Sequence, residues 1–168
     1  MNKSKIIPYS RDLAVAYATK WSLFRNPSYL DFSQLGGDCT NFISQCIYAG
    51  SHIMNFNPLT GWYYRNPDDR AAAWTGVTFL CKYLTTNTSD GPFGTVTSLS
   101  NIDLGDIIQL EKDGSFYHSL LVTHVSGSPT ADNILISAHS FDAINRPLSS
   151  YNFDNIRCIH IEGVRKIL

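Results

Sequence analysis

The spacing of apolar residues changes once along this chain, and that change limits the folds open to it. Before residue 85 apolar side chains recur at helical intervals; after residue 104 they fall in short runs between turns. Leu13, Tyr17 and Trp21 lie four apart behind Ser10, a good N-cap, and Asn26-Pro27 is expected to close that helix. A second helical run carries Phe42, Ile43, Cys46 and Ile47, with Gly50 as its expected stop. A third is expected over 71–84, with Trp74, Val77, Leu80 and Cys81 on one side. Residues 51–69 are turn-rich and aromatic, and residues 85–100, rich in Thr, Ser and Gly, read as a surface loop. Strands are expected over 104–110, 116–125, 133–140 and 158–164, with Asp113-Gly114 turning the first into the second. Helices followed by successive strands predict an α+β domain with an antiparallel sheet. A single domain is expected to span 1–168, and 43% hydrophobic residues suffice for a sizeable core.

Charge and composition exclude several functions. A formal net charge of −1 provides no broad basic surface, so no nucleic-acid partner is expected. No apolar run approaches the roughly 20 residues of a membrane-spanning helix. The start, Met1-Asn2-Lys3-Ser4-Lys5-Ile6-Ile7-Pro8, is basic but lacks the apolar stretch of an intact signal peptide. An extracellular or wall-associated location is expected if a leader has been removed, and a cytoplasmic one otherwise. The cysteines at 39, 46, 81 and 158 show no CxxC spacing, which argues against a zinc ribbon or a thioredoxin motif. They read as free thiols. No metal, cofactor or obligate partner is expected, and no Gly-rich phosphate loop is present.

The chemistry concentrates in Gly36-Gly37-Asp38-Cys39-Thr40-Asn41-Phe42-Ile43-Ser44-Gln45-Cys46. Two glycines supply a turn, Asp38 is the expected N-cap, and Cys39 falls in the first helical turn. A helix N-terminus carries partial positive charge and unpaired N–H groups. Both favour a thiolate, and one such N–H could help hold an oxyanion.

A cysteine nucleophile needs a base, and five histidines are available. His52 sits in the turn-rich stretch and reads as a surface residue. His118 and His124 share one strand but lie roughly 20 Å apart at about 3.3 Å per residue, so both cannot meet Cys39. If strands 116–125 and 133–140 pair antiparallel, His139 comes beside His118 and away from His124. His118 and His139 are therefore expected to meet at one end of the sheet, where a helix start could present the thiol.

These segments resemble bacterial "putative amidase domains" related to NlpC/P60 and CHAP enzymes. The resemblance runs through Gly37-Asp38-Cys39-Thr40-Asn41-Phe42-Ile43-Ser44-Gln45, Trp74-Thr75-Gly76-Val77 and Leu104-Gly105-Asp106-Ile107-Ile108-Gln109. It continues through His118-Ser119-Leu120-Leu121-Val122-Thr123 and His139-Ser140 to Asn145-Arg146-Pro147-Leu148-Ser149. It implies a papain-like, NlpC/P60-like arrangement, with a cysteine-bearing helix packed on the sheet that carries the histidine. It also implies amide hydrolysis, often of cell-wall peptide, so a peptide or peptidoglycan-like substrate is expected. By position Cys39 matches the nucleophile, His118 the base and His139 the residue that orients the base, with Asp142 and Asn145 as alternatives for that third role. Gln34 or Tyr29 is a candidate oxyanion donor beside the Cys39 N–H, and Asp38 and Trp62 are candidates for contact with substrate. Trp62, Tyr63, Tyr64, Phe116 and Tyr117 could line a cleft. Two other functions fit the same residues: an acyl- or peptidyl-transferase using the same thiol, and a non-catalytic binding module.

Overall fold

The computed structural model describes residues 4–168; the first three residues of the basic start lie outside the described residues. Four helices precede most of the sheet: α1 (Arg11–Trp21), α2 (Cys39–Ser51), α3 (Ala72–Thr75) and α4 (Val77–Thr86). The strands are β1 (Ser4–Ile7), β2 (Tyr64–Asn66), β3 (Asp69–Arg70), β4 (Gly91–Thr97), β5 (Ile107–Lys112), β6 (Ser115–Val125), β7 (Ile134–Ala138), β8 (Ala143–Pro147) and β9 (Asn155–Ile167). The protein is an α+β domain whose large sheet is antiparallel, in the order β1-β9-β5-β6-β7-β8. β4 runs along the other edge of β9, so β9 has β5 and then β1 on one side and β4 on the other. β2 and β3 form a separate small ribbon.

Both faces of the central strands are buried. Leu121 of β6 and Ile107 of β5 pack with Phe42, Ile43, Ile47 and Trp74 under the helices. Their neighbours Leu120, Val122, Ile108 and Leu110 face a second core with Ile134, Ile136 and Leu148. Alternate residues of a strand point to opposite faces, so the unbroken apolar run in β6 follows from burial on both sides. No helix among the described residues is long and apolar enough to cross a membrane.

Ser10 caps α1 as expected, its Oγ accepting from Leu13 N at 3.4 Å. The buried side of α1, however, is Ala14 and Ala18, while Leu13 is 48% exposed. The helix ends at Trp21, ahead of Asn26-Pro27, because Asn26 is used in the next turn: its Oδ1 accepts from Ser28 N and its Nδ2 donates to Tyr17 Oη. Gly50 does not stop α2. The helix runs through it, and His52 takes the left-handed C-cap position at φ 55°. Gly50 is there because a Cβ would overlap the Tyr9 ring and lie 2.7 Å from the Ser10 carbonyl oxygen. The third helical run is two helices, broken where Gly76 turns extended at φ −107°, ψ 125°. Within the expected surface loop, Gly91–Thr97 is a full strand along β9.

Candidate active site

Gly36 and Gly37, at φ 101° and 111°, make the turn that sets Cys39 at the first position of α2. Asp38 does not cap the helix with its side chain. Its carboxylate is drawn into a buried cluster instead. Oδ1 accepts from Phe32 N and Asn41 Nδ2, each at 2.8 Å, and Oδ2 faces His139 Nδ1 at 2.5 Å. The Asp38 amide donates to Ser140 Oγ at 2.9 Å. The turn that carries the cysteine is thus held from the helical half by Phe32 and Asn41 and from the end of β7 by His139 and Ser140.

The start of α2 is also tied to β6. Thr40 Oγ1 lies 3.0 Å from Ser119 Oγ, which accepts from Gln109 Nε2 at 3.2 Å. Gln109 Nε2 also donates to Val77 O at 2.8 Å, and Gln109 Oε1 accepts from Arg157 Nε at 3.0 Å. Buried polar groups satisfied in such a chain fix one packing arrangement. His118 precedes Ser119, and it shares with Cys39 a cavity of about 370 Å³ walled by Tyr117, Phe141, Arg146 and Tyr151.

Cys39 and His118 are 7% and 6% exposed. Burial pushes the Cys39 thiol up, against the opposing pull of the Ser119 and Thr40 amides and the Thr40 hydroxyl. Burial, with the positive charge of Arg146, brings His118 down to about 4. The resting pair is therefore a thiol beside a neutral imidazole. The sequence pointed to a thiolate favoured by the helix end; burial works against it here. The Cys39 sulfur contacts Thr40 Oγ1 at 3.7 Å and makes no hydrogen bond to the His118 ring. Hydrogen bonds of this type are often long before substrate is bound.

His139 makes no hydrogen bond to the His118 ring. Its Nδ1 faces Asp38, its Nε2 lies 2.9 Å from Trp21 O, and its ring stacks on Phe42 at 4.0 Å between centroids. β6 and β7 pair as far as Leu121 with Ser137, and His139 lies in the turn beyond the end of β7, its ring set against Asp38 and Phe42 at the start of α2. The two alternatives for the third role are also engaged elsewhere. Asp142 makes a two-pronged pair with Arg25 at 2.9 and 3.0 Å. Asn145 accepts from Thr123 Oγ1 at 2.8 Å.

The other candidates scatter. Gln34 is exposed and outside the cavity wall. Tyr29 packs between Tyr64 and Trp74. Trp62 is fully buried, with its Nε1 donating to Ser44 Oγ at 2.9 Å, and is part of the core. Tyr63 and Tyr64 are buried and Phe116 lies under Arg157, so of the suggested cleft aromatics Tyr117 lines the cavity. His52 and His124 are exposed, and His160 Nδ1 is 2.7 Å from Asp106 Oδ2. Among the described residues no cluster of His, Cys, Asp or Glu is arranged to hold a metal ion. Arg25 and Arg146 were not singled out from sequence. The motif Asn145-Arg146-Pro147 was the signal that could have pointed to the second.

A cysteine-bearing helix start set against a histidine-bearing sheet is accompanied by a match of sequence. Residues 8–161 match the family described as "Putative amidase domain", and the chain belongs to it. The coarse activity of that family is amide hydrolysis. The chain is also similar to the uncharacterized protein YhbB of Bacillus subtilis (strain 168), at 32% identity over 139 residues. That match covers 80% of this chain and 42% of the relative, so the chain spans less than half of its length. No solved structure matches the chain.

Proposed function

We propose that the protein is a cysteine-dependent amide hydrolase acting on bacterial cell-wall peptide through a thioacyl-enzyme. The observation that carries this reading is the single cavity that Cys39 and His118 share, with the thiol protonated and the imidazole neutral. As substrate approaches, the His118 ring takes the proton of the Cys39 thiol while the sulfur attacks the amide carbonyl. The backbone N–H groups at the start of α2 have no partner within the helix and serve in this reading as donors to the developing oxyanion. The imidazolium then protonates the leaving amine and the C–N bond breaks, leaving the acyl group on sulfur. Water, deprotonated by His118, hydrolyses the thioester and restores the thiol. The arrangement is papain-like in logic, with a helix-borne nucleophile and a strand-borne base. Wall peptide as substrate is drawn from the resemblance to NlpC/P60 and CHAP enzymes, and it carries with it a location outside the cell membrane.

The test is product analysis by mass spectrometry after incubation with purified peptidoglycan and with simple peptides. The parent is expected to release new amine and carboxyl ends, and Cys39→Ala to release none. Limiting iodoacetamide is expected to label Cys39 ahead of Cys46, which burial holds well above the usual thiol range. A Cys39→Ala protein that still cleaves, or preferential labelling of Cys46, would end this reading.

A further inference from the structure

The cavity beside Cys39 contains a cation with nothing to balance it. Arg146 lies on β8 and reaches the wall next to His118. Its Nε donates to Ser150 Oγ at 2.7 Å and its Nη2 to Ser150 O at 3.0 Å. The guanidinium rests 3.9 Å above the Tyr151 ring. Those contacts fix the plane of the group and leave Nη1 with no partner among the described residues. No carboxylate pairs with Arg146 among the described residues, and none of the cavity-lining residues is acidic.

A second observation points the same way. The Tyr151 hydroxyl is buried and makes no hydrogen bond of good geometry, with the Arg146 side chain near enough to act on it. Tyr151 lines the same cavity. A buried hydroxyl without a partner is costly unless something supplies one. Here an unpaired guanidinium edge and a phenol without a well-formed hydrogen bond belong to the wall of one pocket, beside the proposed nucleophile. The chemistry that satisfies both is a planar anion accepting two hydrogen bonds, which is what a carboxylate offers to arginine.

We infer that Arg146 and Tyr151 form a carboxylate-binding subsite, and that the substrate is a peptide bearing a free carboxylate close to the scissile amide. This rests on the reading of Cys39 as the nucleophile, but it makes a separate claim about charge. A neutral substrate of the same shape would leave the guanidinium and the phenol unanswered. The positive charge of Arg146 reaches the His118 ring, so an anion bound there would sit within electrostatic range of the base.

Two small probes test the subsite without turnover. Cys39→Ala is titrated with N-acetylglycine and, separately, with N-acetylglycinamide, following the His118 ring signals by NMR. The carboxylate is expected to shift them saturably and the neutral amide to leave them in place. Arg146→Gln should abolish the response, Arg146→Lys should keep part of it, and Tyr151→Phe should weaken it. In proteins that retain Cys39, the rate of alkylation by iodoacetate is compared with that by iodoacetamide. The ratio is expected to fall about tenfold in Arg146→Gln, the size of one charge-assisted hydrogen bond. Equal responses to the two acetylglycine probes in the parent background, or an unchanged alkylation ratio in Arg146→Gln, would overturn the inference. Failure of peptidoglycan cleavage with these responses intact would count against the hydrolase reading and leave the subsite standing.

Discussion

On the proposed mechanism, catalysis starts from a protonated thiol and a neutral imidazole, a different state than a preformed ion pair. There His118 works as the base only when unprotonated, and its burial and Arg146 hold it down to about 4. kcat/KM is therefore expected to stay high as pH falls through 6 and 5, reaching half its plateau near pH 4. An acid limb centred near the ordinary imidazole value of about 6.5 would mean a solvated, unperturbed ring. The same shift has a stability consequence. Below pH 6.5 the unfolded chain takes up a proton that the folded His118 refuses. The contribution is full above pH 6.5 and is lost as pH falls toward 4, by about 3 kcal/mol at most. His139 pairs with Asp38 and makes no hydrogen bond to His118. His139→Ala leaves a buried carboxylate without its ring partner and is expected to cost about 3 kcal/mol in urea denaturation. Activity should fall less than in His118→Ala, with the acid limb unmoved. A shift of that limb in His139→Ala would assign His139 the orienting role after all.

Among the elements, α2 meets the segment that leads into α1 where Gly50 faces Tyr9 and Ser10. The small residues Ala14 and Ala18 on the facing side of α1 belong to the same close packing. Gly50→Ala should raise intrinsic helix propensity and yet destabilise the protein, because the added methyl has no room. A loss of about 1–3 kcal/mol is expected in chemical denaturation. An unchanged or raised midpoint would show that the Tyr9 ring can move aside. The same reasoning explains why Gly50 looked like a helix stop. Glycine marks either a left-handed cap or a close approach, and the local sequence does not distinguish them.

At the scale of the whole molecule, one buried carboxylate joins the helical half to the sheet. Asp106, fully buried, accepts from Arg11 Nη1 at 2.7 Å, Asp103 N at 2.9 Å and Ile161 N at 3.0 Å, and faces His160 Nδ1 at 2.7 Å. Arg11 opens α1, Asp106 precedes β5 and Ile161 lies in β9, so the carboxylate fastens three parts of the chain that are distant in sequence. Asp106→Ala strips these donors of their acceptor and is expected to cost about 3–5 kcal/mol. For a domain of this size that is a fall of about 10 °C in Tm, read by calorimetry. A fall of only a degree or two would mean that water replaces the carboxylate at no great cost.

Signals written within a few residues of one another were enough to read much of this protein. Ser10 as a cap, the two glycines before Cys39, the Asp113-Gly114 turn with φ 51° and 77°, and the strand that follows it are all set by local backbone preference and short-range periodicity. The α+β class follows from their order. Tertiary structure decided the rest. β4 has the composition of a loop and is a strand because β9 offers it an edge, while β1 and β8 likewise owe their identity to their partners. Asp38, a cap by its position, became the partner of a histidine 101 residues away. The protonation states of Cys39 and His118 follow from the burial that the packed chain imposes on them, and the placement of Arg146 apart from any carboxylate among the described residues follows from the same packing. Desolvation and long-range pairing depend on which surfaces are brought together, and that information is not contained in any short window of sequence.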